Sequence, residues 1–156
     1  MSAVITVVSL INAAPTRVFD LELDVDVHAE SLAESHETAT TTTARRQLVL
    51  GDEVTFGACH LGLRWRMTSR VTAYDRPHHF VDEQTRGPFH TLRHEHYFED
   101  LGDGCTRMTD RMTIRAPFGP LGAMVARILL APYLKRLLTQ RAVHIKRLAE
   151  TADNGQ

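Results

Sequence analysis

Residues 119–150, GPLGAMVARILLAPYLKRLLTQRAVHIKRLAE, contain the only long helical pattern in the sequence. Their apolar side chains recur at helical spacing, and most of their basic side chains lie off that stripe. The apolar positions are Leu121, Met124, Val125, Ile128, Leu129, Leu134, Leu137, Leu138, Ile145 and Leu148, and the basic ones are Arg127, Lys135, Arg136, Arg141, Lys146 and Arg147. Pro132 interrupts the pattern and is expected to kink or open the helix locally. A long helix with one buried face is predicted.

The region before this helix has the pattern of an antiparallel meander. Short runs of β-forming residues alternate with turn residues at fairly even spacing, which is typical of strands joined by tight turns. The predicted strands are residues 53–61, 63–74, 78–86, 89–100 and 105–115, separated by Gly51-Asp52, Gly62, Asp75-Arg76-Pro77, Gly87-Pro88 and Gly102-Asp103-Gly104.

The first third of the chain predicts one strand followed by two short helices. Residues 3–11 are rich in β-branched side chains, and Pro15 follows where it suits the first turn of a helix. Leu32 marks a second short helix. The threonine-rich residues 37–44 favour an extended chain and predict a further strand at a sheet edge.

Composition indicates one ordinary globular domain. The chain has 156 residues, 43% of them hydrophobic, and a formal net charge of −1. Such a chain can bury a core without disulfides, and its near-neutral charge argues against a nucleic-acid binder. We expect one domain over residues 1–150, a flexible tail over 151–156, and thiols at Cys59 and Cys105 that form no disulfide. Without a signal peptide or a ~20-residue apolar run, a cytoplasmic protein with no membrane insertion is expected, its oligomeric state being open.

The order of these elements resembles the helix-grip fold of the START-like superfamily, also called SRPBCC. The residues that carry the resemblance are Ile11-Asn12-Ala13-Ala14-Pro15 with Val18-Phe19, Gly51-Asp52-Glu53-Val54, Trp65, Pro77, Phe80, Gly87-Pro88-Phe89, His94-Glu95-His96-Tyr97-Phe98, residues 104–110 and Ala116-Pro117-Phe118-Gly119. The resemblance implies an α+β fold in which a curved antiparallel sheet wraps around the long C-terminal helix. It also implies an apolar cavity for lipids, sterols, polyketides, quinones or hormones. We expect no cofactor. Carriers, sensors and enzymes share this fold, so the resemblance does not decide between them.

Three polar residues are predicted to point toward that cavity. His94 and His96 share strand parity with apolar Leu92 and Phe98, and Asp110 shares parity with Met108 and Met112. A three-residue loop over 102–104 pairs Leu101 with Cys105 and places His96 opposite Asp110. A shorter odd-length loop pairs His94 with Asp110 instead.

A buried carboxylate next to an imidazole has two interpretations. The two groups can satisfy each other in the core, since a buried charge is costly without a partner. Alternatively, the imidazole faces a ligand, where it can anchor a carbonyl or hydroxyl group or move a proton. His94-x-His96 could also bind a metal ion, but no third ligand motif is evident in the sequence, and we predict no metal site.

The cavity lining is predicted from inward apolar positions. Strand 63–74 alternates apolar with basic and threonine side chains, so its outer face is expected to be solvated. The candidate ligand-binding residues are Phe56, Trp65, Met67, Phe80, Leu92, Phe98, Met108, Met112, Met124 and Ile128. His60, His78 and His79 are expected at the surface or at strand ends.

Three functions are consistent with these patterns. The first is a carrier or sensor that binds a hydrophobic small molecule such as a lipid, quinone or polyketide in an internal cavity. The second is a polyketide cyclase or dehydratase in which His96 is the general acid or base, Asp110 orients it and His94 binds an enolate or carbonyl oxygen. The third is a partner-binding module that uses the arginine-rich outer face or the helix around Pro132.

Overall fold

The computed structural model describes residues 2–151, so residues 152–156 of the expected flexible tail lie outside the described residues. The elements are β1 (Ala3–Ile11), α1 (Pro15–Glu22), α2 (Val25–Ser31), a 3-10 turn (Ala33–Ser35), β2 (Thr38–Thr41), β3 (Glu53–His60), β4 (Leu63–Asp75), β5 (His79–Arg86), β6 (Thr91–Gly102), β7 (Cys105–Arg115), α3 (Gly119–Val125), a π-helical turn (Ala126–Leu130) and α4 (Ala131–Thr151).

One curved antiparallel sheet of seven strands forms the framework, with the order β1-β7-β6-β5-β4-β3-β2. Helix α4 packs against β1 and against the two short helices α1 and α2. The predicted α+β helix-grip architecture is therefore confirmed. The threonine-rich run forms only the short strand β2, which lies at the sheet edge as expected.

The pairing of β6 with β7 follows the predicted register, although the turn differs. Phe98 pairs with Met108 and His96 pairs with Asp110, as a three-residue loop predicts. The observed turn has two residues, Asp103 and Gly104, both at positive φ, as a tight hairpin of this kind requires. An irregularity between Asp100 and Gly102 adds the missing residue to β6, so the inward side chains keep the predicted face.

The first part of the C-terminal helix turns a different face inward than predicted. Helix α3 buries Gly122 and Ala123, whereas Met124 and Ile128 are 52% and 62% exposed. A Cβ atom at Gly122 would lie 1.7 Å from the Pro117 carbonyl oxygen, so only glycine allows this close packing. The prediction that Met124 and Ile128 line the cavity is therefore wrong.

The physical reason for this correction is the π-helical turn Ala126–Leu130. Its i→i+5 hydrogen bonding adds a residue to one turn and shifts the phase of the stripe that a regular helix would keep. Pro132 follows directly and lacks the N–H that a regular helix needs there, which is a common cause of such local opening. None of the helices within residues 2–151 is long and apolar enough to cross a membrane.

The interior contains two apolar clusters with polar side chains between them. One cluster includes Phe19, Phe98 and Met108. The other includes Leu92 and Met112. The polar side chains occupy the intervening inward positions on the strands and on α1 and α4, and we call them the polar layer: Glu22, Asp82, His94, His96, Asp110 and Arg141.

Candidate functional site

A largely apolar cavity of about 170 Å³ lies between the sheet and the helices α2 and α4. Six of the predicted ligand-binding residues line it, namely Phe56, Trp65, Met67, Phe80, Leu92 and Met112. Phe98 and Met108 do not, because they pack into the core cluster around Phe19. The prediction for these two residues is therefore corrected: their side chains point inward but stop in the solid core.

One hydroxyl group faces this cavity without a partner. Ser69 occupies an inward position on β4 between Met67 and Val71, where alternation had suggested apolar side chains. Its side chain is buried, and its Oγ atom has no hydrogen-bond partner among the described residues. Burying a hydroxyl without a hydrogen-bond partner costs free energy. A bound molecule with an acceptor oxygen would remove this cost.

His96 is the centre of the polar layer and is completely buried. Its Nε2 atom hydrogen-bonds with Asp82 Oδ2 at 3.1 Å, and its Nδ1 atom is 2.9 Å from Asp110 Oδ1. Burial disfavours the imidazolium form, but the two carboxylates outweigh it and raise the pKa of His96 to about 9. The ring stacks on Phe80 with centroids 4.0 Å apart. His96 itself does not line the cavity.

Two neighbours of His96 in the layer, His94 and Asp82, line the cavity. His94 Nε2 is 3.3 Å from Asp110 Oδ1, and its Nδ1 is 3.8 Å from Asp82 Oδ2. Burial and the nearby His96 lower the pKa of His94. Burial raises the pKa of Asp82, but His96 and His94 outweigh burial and bring it to about 2, and they also lower the pKa of Asp110.

Glu22 and Arg141 complete the layer from the helices. Arg141 Nη2 lies 2.6 Å from Glu22 Oε2 and also donates to the Glu22 carbonyl oxygen at 2.8 Å. Both side chains are buried and both residues line the cavity. Burial raises the pKa of Glu22 despite the guanidinium. Arg141, which the sequence analysis placed off the apolar stripe, therefore lies on the inward face of α4.

A second group of polar side chains lines the cavity away from the polar layer. His28 Nε2 is 2.9 Å from Glu37 Oε1, and His60 Nδ1 is 2.9 Å from the Tyr133 hydroxyl. His60 is at a strand end as expected, but its ring belongs to the cavity wall. Burial lowers the pKa of His28 and raises that of Glu37 to about 7.

The raised pKa of Glu37 gives a testable dependence of stability on pH. The folded state holds the Glu37 proton up to about pH 7, whereas the unfolded chain releases it near 4.5. The stability that the folded state gains by holding this proton is therefore present at low pH, and it is lost as the pH rises through 7. We expect urea unfolding to show that wild type loses about 2 kcal/mol more than Glu37→Gln between pH 5 and pH 8.

The matched control for this experiment is Glu34→Gln, since Glu34 is exposed one turn earlier in the chain. The Glu34→Gln protein should lose stability with pH in parallel with wild type. Equal pH dependence of wild type and Glu37→Gln would contradict the assignment of a buried, protonated Glu37.

Sequence reasoning identified only half of the polar layer. Asp82 shares inward parity with Phe80 on β5, so the alternation rule could have found it. Arg141 follows Leu138 by three residues and precedes Ile145 by four, the spacing of one helical face. Glu22 carried no comparable signal, because it ends a short helix whose packing partner is distant in sequence.

Comparisons with known proteins agree with this architecture. A family model described as polyketide cyclase / dehydrase and lipid transport matches residues 2–150. No curated protein matches the sequence. Among solved structures, TTHA0849 from Thermus thermophilus has a TM-score of 0.73 at 18% identity, covering 92% of this chain and 97% of that chain.

Two named enzymes are also similar in fold. The ZhuI aromatase/cyclase from Streptomyces sp. R1128 has a TM-score of 0.78 at 17% identity, covering 96% of this chain and 94% of that chain. A norcoclaurine synthase point mutant from Thalictrum flavum has a TM-score of 0.77 at 10% identity, covering 98% of this chain and 97% of that chain. Likeness at these identities concerns the fold alone. The family model, with which these folds agree, confirms the resemblance to the START-like superfamily.

Proposed function

Because the chain belongs to the polyketide cyclase / dehydrase and lipid transport family, we propose that it is a carrier or sensor for a hydrophobic small molecule with a carbonyl or hydroxyl oxygen. The observation that carries this proposal is the apolar cavity with the unpartnered Ser69 hydroxyl on its wall. Small-molecule sites typically combine an apolar lining with a few polar groups that fix orientation.

The size of the cavity supports a small ligand. An apolar cavity of about 150 Å³ in another protein accommodates benzene, whereas drug-sized ligands occupy roughly 300–1,000 Å³. The volume of about 170 Å³ is below that range, so the buried part of the ligand is one ring in size. Among lipids, quinones and polyketides, a single-ring quinone or a single-ring aromatic ketone fits best.

The Ser69 hydroxyl supports selection of an oxygen-bearing ligand. It is an uncharged donor on the cavity wall without a partner among the described residues. Asp82 already accepts a hydrogen bond from His96, and the unpartnered Arg141 Nε belongs to the guanidinium that contacts Glu22. A ligand carbonyl that accepts from Ser69 contributes about 1 kcal/mol relative to a ligand without that oxygen.

The experiment compares two probes of nearly equal shape by calorimetry. We expect acetophenone to bind about 5-fold more tightly than ethylbenzene, because only acetophenone accepts the Ser69 hydrogen bond. Ser69→Ala should lose this preference or reverse it, because the acetophenone carbonyl would then be buried without a donor. Ser9→Ala, a change on β1 outside the cavity lining, should keep the wild-type preference.

Native mass spectrometry of protein purified from a bacterial lysate tests the same proposal without a chosen probe. We expect a bound species that organic extraction releases. If the mass is clean and neither acetophenone nor ethylbenzene binds, the proposal fails. Equal affinity of wild type for both probes would contradict the role of Ser69 but not the carrier proposal itself.

A second candidate is an enzyme of the cyclase or dehydratase type, which the placement of Asp82 and His94 on the cavity wall favours. His96 and Asp110 lie behind that wall, so in this candidate they position the two wall residues, and Asp82 and His94 contact the substrate. Incubation with polyketide substrates, followed by mass spectrometry, tests it. Loss of water or ring formation with wild type, and none with Asp82→Asn, would favour the enzyme over the carrier.

A further inference from the structure

We propose that Asp82, His94 and His96 form a site for one divalent transition-metal ion on the wall of the cavity. The proposal goes beyond ligand binding and reverses the prediction from sequence, which lacked a third ligand. Asp82 on β5 pairs with His94 on β6, so two adjacent strands bring the carboxylate to the imidazoles.

The distances between the donor atoms fit one ion. Asp82 Oδ2 lies 3.1 Å from His96 Nε2 and 3.8 Å from His94 Nδ1. Nitrogen and oxygen ligands about 2.0–2.2 Å from a zinc ion at tetrahedral angles are roughly 3.4 Å apart. All three donor atoms lie within 4.8 Å of one another, so small side-chain shifts would bring them to one ion.

Asp110 holds the two imidazoles from the opposite side. Its Oδ1 atom is 3.3 Å from His94 Nε2 and 2.9 Å from His96 Nδ1. Each histidine thus turns one nitrogen to Asp110 and the other to Asp82. A carboxylate next to the outer nitrogen of a metal-binding histidine is the usual arrangement that fixes its tautomer and orientation.

The charges in the polar layer also match a divalent ion. Three carboxylates, on α1, β5 and β7, face one permanent cation, Arg141 on α4. A divalent ion together with Arg141 balances all three carboxylates while both imidazoles stay neutral. Binding of a divalent ion would therefore leave no uncompensated buried charge in the layer.

An alternative set of donors is less suitable. Glu22, His96 and Asp110 also lie within reach of one another. However, Glu22 Oε2 already pairs with Arg141 Nη2 at 2.6 Å, and neither His96 nor Asp110 lines the cavity. At the proposed site, Asp82 and His94 face the cavity, which provides an entry path and leaves coordination positions for a ligand oxygen or water.

The donor set indicates the kind of metal. Two imidazole nitrogens and one carboxylate suit zinc, cobalt or iron(II), whereas magnesium and calcium prefer oxygen donors throughout. We expect zinc and cobalt(II) to bind and millimolar magnesium or calcium not to compete.

The test titrates chelator-treated protein with cobalt(II) and with zinc, followed by visible absorption and calorimetry. Wild type should bind one ion per chain. Bound cobalt(II) should show the stronger visible absorption that is typical of an ion with four or five ligands. Asp110→Asn should weaken binding by about 10–100-fold, and His94→Ala should weaken it by more than that. His90→Ala, which removes an exposed histidine near β6, should leave binding unchanged.

Circular dichroism and thermal unfolding of each variant check that the fold persists. Asp82→Asn keeps the shape of the side chain and provides the second test if His94→Ala does not fold. Absence of stoichiometric cobalt binding to wild type would overturn the proposal, as would equal affinity of wild type and both ligand variants. Because the readout is the metal itself, either outcome is independent of acetophenone binding.

Discussion

Replacing Arg141 with methionine is expected to lower the free energy of unfolding by about 3–5 kcal/mol. Arg141 is 7% exposed, and its guanidinium is the cation nearest to Glu22, whose side chain is completely buried. Removing it leaves that carboxylate near Asp110 and Asp82 with only the His96 ring, 3.8 Å away, to offset its charge, and it also removes the donor to the Glu22 carbonyl oxygen. Urea unfolding at constant pH measures the loss.

A second substitution distinguishes the charge effect from a packing effect. In the double variant Arg141→Met with Glu22→Gln, no charge is left unpaired at this contact, so most of the lost stability should return. Arg136→Met makes the same change at an exposed position of α4 and should alter stability by less than about 0.5 kcal/mol. If Arg141→Met is no less stable than Arg136→Met, the contact has no structural importance.

Filling the cavity should abolish ligand binding. Ala58 lines the cavity from β3, opposite Trp65 in the sheet register. An indole side chain at this position would occupy most of the about 170 Å³ that a one-ring ligand needs. We expect Ala58→Trp to weaken acetophenone binding by about 100-fold or more, which corresponds to about 3 kcal/mol.

The neighbouring residue provides the control for Ala58→Trp. Cys59 is exposed on the other face of β3, so Cys59→Trp adds the same side chain outside the cavity and should change affinity by less than about 2-fold. Undiminished binding to a folded Ala58→Trp protein would mean that the ligand sits elsewhere.

The order of the elements could be predicted from sequence because each boundary carries a chemical signal. Pro15 begins α1, and the glycine-rich turn at 102–104 fixes the β6–β7 hairpin within one residue. Strand parity together with an assumed three-residue loop then placed His96 opposite Asp110, as observed, whereas the shorter-loop alternative paired His94 with Asp110. The inward face of α3 could not be predicted, since a regular helical period does not include a π-helical turn.

The site was harder to predict than the fold for a related reason. Strand parity shows which face of the sheet a side chain is on, but it does not show whether the neighbouring elements leave space there for a ligand. Phe98 and Met108 therefore point inward as predicted yet end in the solid core. Glu22 and Arg141 meet across 119 residues of sequence, and a pairing between two helices leaves no periodic trace in either segment.

The polar layer divides the apolar interior into two parts. Well-packed hydrophobic residues in place of a buried charged group often leave a protein equally or more stable, so this layer is an inefficient way to hold a sheet against a helix. In a sequence optimised only for thermal resistance, we would expect apolar residues in place of the polar layer, so that the two clusters form one continuous hydrophobic core. Such a variant should outlast the natural chain on heating, and it would lack Asp82 and His94, on which the proposed metal site and the cyclase-type candidate both depend.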